Sequence, residues 1–427
     1  MEELGFREYE SYKDSHASWL GEVPAHWQVG PGRVCIYENK DKNTGMKENT
    51  VLSLSYGRVI VKDEDKMTGL VPESYETYQI VQPGDIIIRG TDLQNDVTSL
   101  RTGLAKNHGI ITSAYINLRP KPNADAEFLH YLLHSYDVKK VFYGLGSGLR
   151  QNLSYVDFKY LTIPLPSLPE QRTIVAFLDD KCANIDEAVK IKEDQIALLR
   201  ERRRITIQDA VTRGLNPAAA MKESHASWLG EVPADWQVGP GRICIYENKD
   251  KNTGMKENTV LSLSYGRVIV KDEDKMTGLV PESYETYQIV QPGDIIIRGT
   301  DLQNDVTSLR TGLAKNHGII TSAYINLRPK PNADAEFLHY LLHSYDVKKV
   351  FYGLGSGLRQ NLSYVDFKYL TIPLPSLPEQ RAIVVFLDEE CAKVDQGIAI
   401  IRHQIAALKE YKTSMIDAAV TGKIKVI

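Results

Sequence analysis

Two long segments of this chain carry apolar residues at spacings of three and four, and the rest of the sequence is arranged around them. The first begins at Pro169 and the second at Pro378, each directly after the letters LPSL. The apolar positions are Ile174, Leu178, Cys182, Ile185, Val189, Ile196, Leu199 and Ile207 in the first segment, and Ile383, Leu387, Cys391, Val394, Ile398, Ile401, Ile405, Leu408 and Ile416 in the second. Such a narrow stripe predicts a coiled coil rather than the broad apolar face of a globular helix.

Both segments open with the pattern of a capping box, Ser167-x-x-Glu170 and Ser376-x-x-Glu379. We expect each serine hydroxyl to accept from the amide three residues on, and each glutamate to return to the serine amide. About forty helical residues form a rod of roughly 60 Å. That the two helices pair as an antiparallel coiled coil is the favoured prediction; the alternative is that each packs only on its own domain.

The chain before each long segment mixes strand and helix patterns. Strands are predicted at 51–55, 58–62, 75–81, 85–89, 110–118 and 162–165, and a helix at 125–143. The first two strands flank a tight turn at Gly57. Each such region is predicted to be a compact α/β domain.

The sequence is an internal duplication. Ser15–Arg172 overlays Ser224–Arg381 without a gap, and only His26 against Asp235 and Val34 against Ile243 differ. The predicted fold class is therefore α+β, with two mixed α/β domains separated by two long antiparallel helices forming a coiled coil around a pseudo-twofold. The predicted boundaries are 1–168 for the first domain, 169–215 for the first helix, 216–377 for the second domain and 378–427 for the second helix. A recent duplication without functional symmetry is the alternative.

Composition limits the function classes. The formal net charge of −4 lacks the basic excess typical of nucleic-acid-binding domains. The N-terminal stretch is acidic and polar, so we expect a cytoplasmic protein without a leader. Four cysteines without C-x-x-C spacing predict neither a disulfide framework nor a zinc site.

Two motifs carry a family resemblance. SWLGEVPAHW near the domain start and IPLPSLPEQRTIVAFLD at the junction with the helix resemble the specificity (S) subunit of type I restriction-modification systems, and both occur twice with small changes. The resemblance implies two target recognition domains that read a bipartite double-stranded DNA target. It also implies docking of two modification (adenine methyltransferase) subunits and, through them, restriction subunits. S-adenosylmethionine, ATP and Mg would then bind to partner subunits, with no cofactor in this chain.

One departure from the family pattern sharpens this expectation. Typical members carry two different recognition domains, whereas the two domains here are nearly identical. Two identical readers related by a twofold read the same half-site on opposite strands, which predicts an interrupted palindrome. The chain shows no Walker A motif, methyltransferase tetrapeptide or nuclease core, so no catalytic residues are expected. The alternatives are a non-DNA scaffold that bridges two copies of a partner, and a degenerate methyltransferase or nuclease fusion.

Candidate DNA contacts come from a hairpin and two polar loops in each domain, because forked donors and acceptors read base edges. The candidates are Tyr56, Arg58, Lys62, Gln94, Asn95, Thr98, Ser99, Arg101, Ser147, Arg150, Gln151 and Asn152, with their equivalents Tyr265, Arg267, Lys271, Gln303, Asn304, Thr307, Ser308, Arg310, Ser356, Arg359, Gln360 and Asn361. A solvated loop is the alternative for any one of them.

Two further patterns are weaker. His130 and His134 stand four apart on the predicted helix, but no carboxylate or thiol set completes a metal site, so packing or surface histidines are expected. Arg202-Arg203-Arg204 is either a solvated helix face or a contact with spacer DNA or a partner.

Overall fold

The computed structural model describes residues 7–62, 74–96, 98–145, 151–271, 283–305, 307–354 and 360–426. The chain divides into two compact units. The first contains Met1–Lys192 and Arg402–Ile427, and the second contains Glu193–Ile401. The division falls within the two long helices rather than at their ends.

In the part of the first repeat that the structure describes there are twelve strands and two short α-helices, and the first long helix follows them. The strands are β1 (Tyr12–Asp14), β2 (Glu22–Pro24), β3 (Gln28–Pro31), β4 (Ile36–Glu38), β5 (Leu52–Ser55), β6 (Arg58–Val61), β7 (Gln79–Val81), β8 (Ile86–Arg89), β9 (Thr102–Leu104), β10 (Gly109–Ile111), β11 (Tyr115–Pro120) and β12 (Thr162–Leu165). The helices are α1 (Ala126–Val138), α2 (Tyr155–Tyr160) and the long α3 (Leu168–Arg213).

The second repeat has the same order of elements. Its strands are β13 (Met221–Glu223), β14 (Glu231–Pro233), β15 (Gln237–Pro240), β16 (Ile245–Glu247), β17 (Leu261–Ser264), β18 (Arg267–Val270), β19 (Gln288–Val290), β20 (Ile295–Arg298), β21 (Thr311–Leu313), β22 (Gly318–Ile320), β23 (Tyr324–Pro329) and β24 (Thr371–Leu374). Its helices are α4 (Ala335–Val347), α5 (Tyr364–Tyr369) and the long α6 (Leu377–Val420). The predicted mixture of sheet and helix around two long helices is confirmed.

An antiparallel sheet forms the centre of each repeat. Its strand order is β4-β11-β8-β9 in the first repeat and β16-β23-β20-β21 in the second. Helix α1 buries Phe128, Leu129, Leu132 and Leu133 completely. These positions recur at helical spacing, so burial of this apolar face was predictable from the sequence.

Both predicted long helices are present, and within each unit a segment of α3 packs against a segment of α6. In the first unit, Lys412 Nζ lies 2.7 Å from both carboxylate oxygens of Asp186. In the second unit, Arg203 Nη1 donates to Asp395 Oδ1 at 2.8 Å. There the segments run antiparallel, because Leu199 lies beside Gly397 whereas the later Arg203 pairs with the earlier Asp395.

The start of α3 differs from the predicted capping box. Ser167 Oγ accepts from the Glu170 amide at 3.4 Å, but the Glu170 carboxylate turns away from the cap. It is buried and accepts from Trp27 Nε1 at 2.9 Å and from the Tyr9 hydroxyl at 3.1 Å, and His26 Nε2 lies 3.0 Å away. The predicted return bond to the serine was therefore wrong, since a buried carboxylate gains more from several donors than from one exposed amide. In the second repeat, Trp236 Nε1 likewise donates to Glu379, at 3.0 Å.

Two local predictions were also wrong, and one helix was not predicted. The strand predicted at 110–118 is two strands, β10 and β11, with a turn between them. The helix predicted at 125–143 ends at Val138, because Lys140 adopts a left-handed backbone with φ 61° and a short 3-10 helix follows. Helix α2 was missed, although Ser154 and Asp157 form a capping box in which the Ser154 amide donates to Asp157 at 2.7 Å.

The four cysteines are buried free thiols. Burial raises the pKa of the Cys35 thiol from 9.0 to about 12. Within the described ranges, none of the helices combines the length and apolar character needed to cross a lipid bilayer.

Candidate nucleic-acid interface

The β5–β6 hairpin presents an exposed tyrosine at its tip. Its two central residues both have left-handed backbones, with φ 48° at Tyr56 and 74° at Gly57, as in a type I′ turn. Glycine adopts this conformation without cost, but a tyrosine is strained there. The Tyr56 side chain is 89% exposed, so burial does not compensate for the strain. Strained backbones cluster at functional sites, which favours a binding role for this tip.

A second candidate segment is the loop that leads from β8 to β9, and Arg101 holds it together. The Arg101 guanidinium donates to the carbonyl oxygen of Thr91 at 2.8 Å and to that of Asp96 at 2.6 Å. Its Nε donates to the Tyr143 hydroxyl at 3.2 Å. The loop is also closed by its own acidic side chains: Asn95 Nδ2 donates to Asp92 Oδ1 at 2.7 Å, and hydrogen bonds from Ser99 lower the pKa of Asp96.

The third segment, Gln151-Asn152, joins this loop directly. The Asp92 amide donates to Asn152 Oδ1 at 2.9 Å, and the Leu153 amide donates to the Gly90 carbonyl at 2.7 Å. Gln151 has a left-handed backbone with φ 46°. Two segments that are far apart in sequence therefore form one polar surface.

The hairpin completes this surface. Gly57 packs on Leu100 so closely that an added Cβ would lie 3.0 Å from Leu100 Cδ1. Behind the hairpin, Leu52, Leu54 and Val59 belong to an apolar cluster with strands β7, β8 and β10. The hairpin and the described parts of the two predicted loops thus lie on one face of the repeat, which we call the candidate interface.

The second repeat reproduces the candidate interface. Tyr265 has φ 47° and is 91% exposed, and Gly266 packs on Leu309. The Asp301 amide donates to Asn361 Oδ1 at 2.9 Å. Hydrogen bonds from Ser308, chiefly from its amide, lower the pKa of Asp305 from 3.8 to about 2.

Most of the predicted contacts that the structure describes are accessible. The exposed ones are Tyr56, Arg58, Lys62, Gln94, Asn95, Thr98, Gln151, Asn152, Tyr265, Arg267, Lys271, Gln303, Asn304, Thr307, Gln360 and Asn361. Ser99 and Ser308 are half-buried. Ser147, Arg150, Ser356 and Arg359 lie outside the described residues.

Arg101 and Arg310 are corrections to the predicted contacts. Both are completely buried, and their guanidinium groups donate to loop carbonyls and to a tyrosine hydroxyl. A guanidinium with its donors occupied inside the protein does not reach a base edge. These arginines instead fix the shape of the loop whose exposed residues are the candidates.

The structure also shows the surroundings of the two weaker patterns, the histidine pair and the arginine run. The rings of His130 and His134 are tilted by 32° with their centroids 6.2 Å apart, and burial lowers the pKa of His130 from 6.5 to about 4. The described ranges contain no group of three or more histidine, cysteine or acidic residues able to hold a metal ion. Within the arginine run, Arg203 pairs with Asp395, and Arg204 donates to Glu201 through Nε at 2.8 Å.

The chain thus consists of two near-identical domains and two long helices, and each domain carries one polar candidate interface. The family model described as type I restriction modification DNA specificity domain matches residues 37–197 and again 245–410. The chain therefore belongs to the family of specificity subunits of type I restriction-modification systems. The resemblance drawn from the two repeated motifs is confirmed.

Known relatives agree with this assignment. The type I restriction enzyme MjaVIII specificity subunit of Methanocaldococcus jannaschii is 26% identical over 343 residues, which cover 74% of this chain and 75% of the relative. The crystal structure of the HsdS subunit from Thermoanaerobacter tengcongensis matches with TM-score 0.51 and 17% identity, over 94% of this chain and 98% of its own. A chain from a structure on complex assembly and conformational transition of the type I R-M system matches with TM-score 0.65 and 18% identity, over 93% of this chain and 98% of its own. The two structures support the fold.

Proposed function

We propose that this chain is a non-catalytic, cytoplasmic subunit that gives a type I restriction-modification complex its DNA sequence specificity by reading an interrupted palindrome. Each repeat would read one half-site with its candidate interface. The chain would dock two adenine methyltransferase subunits and, through them, restriction subunits. S-adenosylmethionine, ATP and Mg would be bound by those partners.

The near-identity of the two candidate interfaces carries the palindrome proposal. The exposed side chains of the hairpin and loops are the same in both repeats, and the same internal bonds hold them, as with Asn152 on Asp92 and Asn361 on Asp301. Identical surfaces prefer identical base sequences. A single chain with two such surfaces is therefore suited to a repeated half-site.

The net charge of −4 bears on how the chain binds DNA. Phosphate contacts supply much of the affinity of a DNA-binding protein, and they come from basic side chains. We therefore propose that the methyltransferase partners supply part of the phosphate contacts, while this chain supplies base selection.

Mapping of methylated adenines tests the proposal. The chain is co-expressed with its cognate modification subunit, and methylated positions are mapped across the host genome. The expected motif is an interrupted palindrome whose half-sites are about one helical turn, or roughly 10 base pairs, apart. A clearly asymmetric motif would refute the palindrome.

Matched substitutions test the candidate interface. Arg58→Ala and Arg267→Ala should each weaken target binding, because the two side chains occupy equivalent positions on the two hairpins. A lost base contact costs about 1–3 kcal/mol, or roughly 5- to 150-fold in affinity. Val156→Ala, an exposed apolar residue on α2, is the control and should leave binding unchanged. Equal affinity for the control and both arginine variants would remove the hairpin from the interface.

A non-DNA scaffold that bridges two copies of a partner is the second candidate function, and the duplication itself favours it. A gel shift of the assembled complex on random duplexes at low salt separates the two. Binding of duplex DNA supports the specificity role, and absence of any shift supports the scaffold.

A further inference from the structure

The second repeat contains a basic groove next to its recognition hairpin. The groove encloses about 820 Å³, and its walls are the later part of α3, the β17–β18 hairpin and helix α4. Six cationic side chains line it, from Arg200, Arg203, Arg204, Arg267, Lys315 and Lys348. Among the residues that the structure describes, two carboxylates line it with them, those of Glu336 and Asp388. In a chain whose net charge is −4, such a concentration of positive charge marks a site for an anion.

Pairing within the protein neutralises part of this charge but leaves an excess. Arg203 pairs with Asp395, and Arg204 pairs with Glu201. Lys348 has a different environment, because its ammonium donates to the Trp228 carbonyl at 3.2 Å. Burial lowers the pKa of Lys348, the negative charge of Asp209 partly opposes that shift, and the positive charge of Arg204 adds to it. A bound anion would stabilise the positive charges of Lys348 and Arg204 together.

A buried histidine adds a hydrogen-bonding group to the groove wall. His339 Nε2 is shielded from solvent and has no hydrogen-bond partner among the residues that the structure describes. Burial lowers the pKa of His339 to about 4, so the ring is neutral near pH 7 and one of its nitrogens carries a proton. Burying a polar group without a partner is costly, and a bound ligand would relieve this cost. His130 in the first repeat is likewise unpartnered, so the histidine is common to both repeats.

Two of the groove-lining positions differ in charge between the repeats, and Asp209, whose charge acts on Lys348, is replaced by Ala418 in the first repeat. Thr413 stands where the second repeat has Arg204, and Asp417 stands where it has Gln208. Asp417 Oδ1 accepts from Ser135 Oγ at 2.7 Å, and Asp417 Oδ2 lies 2.6 Å from Lys139 Nζ. The first repeat thus lacks one cation and supplies an internal anion to the lysine that matches Lys348. In the first repeat, the region equivalent to the groove therefore contains the carboxylate of Asp417, which pairs with that lysine.

We propose that the groove of the second repeat binds a backbone phosphate of the DNA and that its counterpart in the first repeat does not. This inference rests on the proposed function. The hairpin supports DNA as the source of the phosphate, because Arg267 and Tyr265 belong both to the groove and to the candidate interface. Arginine guanidinium groups match phosphate oxygens with paired donors, and α3 supplies three of them here. The nearly symmetric subunit would then hold the DNA backbone more strongly at one half-site than at the other.

The salt dependence of target binding by the full chain, assembled with its methyltransferase partner, tests the inference. The variant Arg204→Thr/Gln208→Asp gives the second repeat the residues of the first, and Thr413→Arg/Asp417→Gln makes the reciprocal change. Each released phosphate contact changes the slope of log K against log salt by about 0.9. We expect the slope to become shallower by about 1 to 2 in the first variant and steeper in the second, with the same preferred half-sites in both. Arg204→Lys with native Gln208 keeps the charge and should keep the slope.

The outcomes separate this inference from the function on which it rests. If the wild-type complex fails to bind duplex DNA, the proposed function fails. If it binds and neither exchange moves the slope, the groove inference alone is overturned. If a variant weakens methyltransferase assembly but leaves the salt slope of DNA binding unchanged, the groove binds a protein. If a variant loses pyrophosphate binding at an unchanged salt slope, the groove binds a small phosphate ligand. Either result overturns the assignment of the groove to DNA. Thermal unfolding of each variant shows that a changed slope does not come from a damaged fold.

Discussion

Replacement of Arg101 distinguishes an arginine that shapes a loop from one that contacts DNA. The buried guanidinium makes bonds to the carbonyls of Thr91 and Asp96 and to the Tyr143 hydroxyl. Removing one partner from a buried charged network costs about 3–5 kcal/mol. Arg101→Met should therefore lower the free energy of unfolding of the first repeat by about that amount, or the midpoint by roughly 6–20 °C for a unit of this size.

Urea unfolding is the assay, and the second repeat is an internal reference. Because Arg310 keeps the second repeat intact in this variant, the transition should become biphasic, and Arg101→Met/Arg310→Met should restore a single transition at lower urea. Arg101→Lys should also destabilise, since an ammonium cannot reproduce the fork of donors. An unchanged unfolding profile together with lost DNA binding would refute the loop-shaping role and restore Arg101 as a direct contact.

Three other predictions follow from the repeat structure. Hydrogen bonds from Thr50 lower the pKa of Glu48 from 4.5 to about 2. The stability that this carboxylate contributes is therefore present above pH 4.5 and is lost as pH falls toward 2. In Glu48→Gln/Glu257→Gln, acid unfolding followed by circular dichroism should be less steep between these pH values. The Cys35 thiol should resist Ellman's reagent in native protein and react after unfolding, because it is buried and its pKa is raised. Trp27→Phe keeps the ring but removes the Nε1 donor to buried Glu170, and it should cost about 1.5–3 kcal/mol in urea unfolding, whereas equal stability would mean that this bond contributes nothing.

The long helices and the duplication could be predicted because their signals are local or repeated. Apolar spacing along α3 places Ile174 and Leu178 on the buried face, and both are completely buried. Toward the middle of the helices the stripe becomes less buried, as at Leu199 and Ile401, which are half-buried. Periodicity indicates which face is covered, but the depth of burial depends on what lies opposite.

The errors share a physical cause, which is contact between residues far apart in sequence. Glu170 reads as a cap because Ser167 is three residues away, but Trp27 and Tyr9 reach its carboxylate from the start of the domain. Arg101 reads as a DNA contact because its loop is polar, but Tyr143 and the loop carbonyls surround it. In both cases a charged side chain bonds to several donors or acceptors inside the fold. No local sequence pattern predicts such contacts.

The segments of the candidate interface were predicted separately, and the structure shows which of their described residues lie together. The hairpin and loops were chosen for polar composition, and the structure brings their described parts together through Asn152 and Gly57. A useful signal was overlooked: tyrosine at the first position of a Tyr56-Gly57 turn is unfavourable for folding alone. The strained and exposed Tyr56 is therefore an argument for the binding role proposed for this hairpin.

The duplicated sequence restricts where any functional asymmetry can arise. Between Ser15 and Arg172, only His26 and Val34 differ from their equivalents in the second repeat. The Val34 change keeps an aliphatic side chain, and His26 belongs to the Glu170 cluster at the start of α3 rather than to the candidate interface. The helices beyond that window differ more, as Arg204 does from Thr413. Any unequal binding by the two halves would therefore arise outside the candidate loops, either in the segments before Ser15 and Ser224 or in the helices.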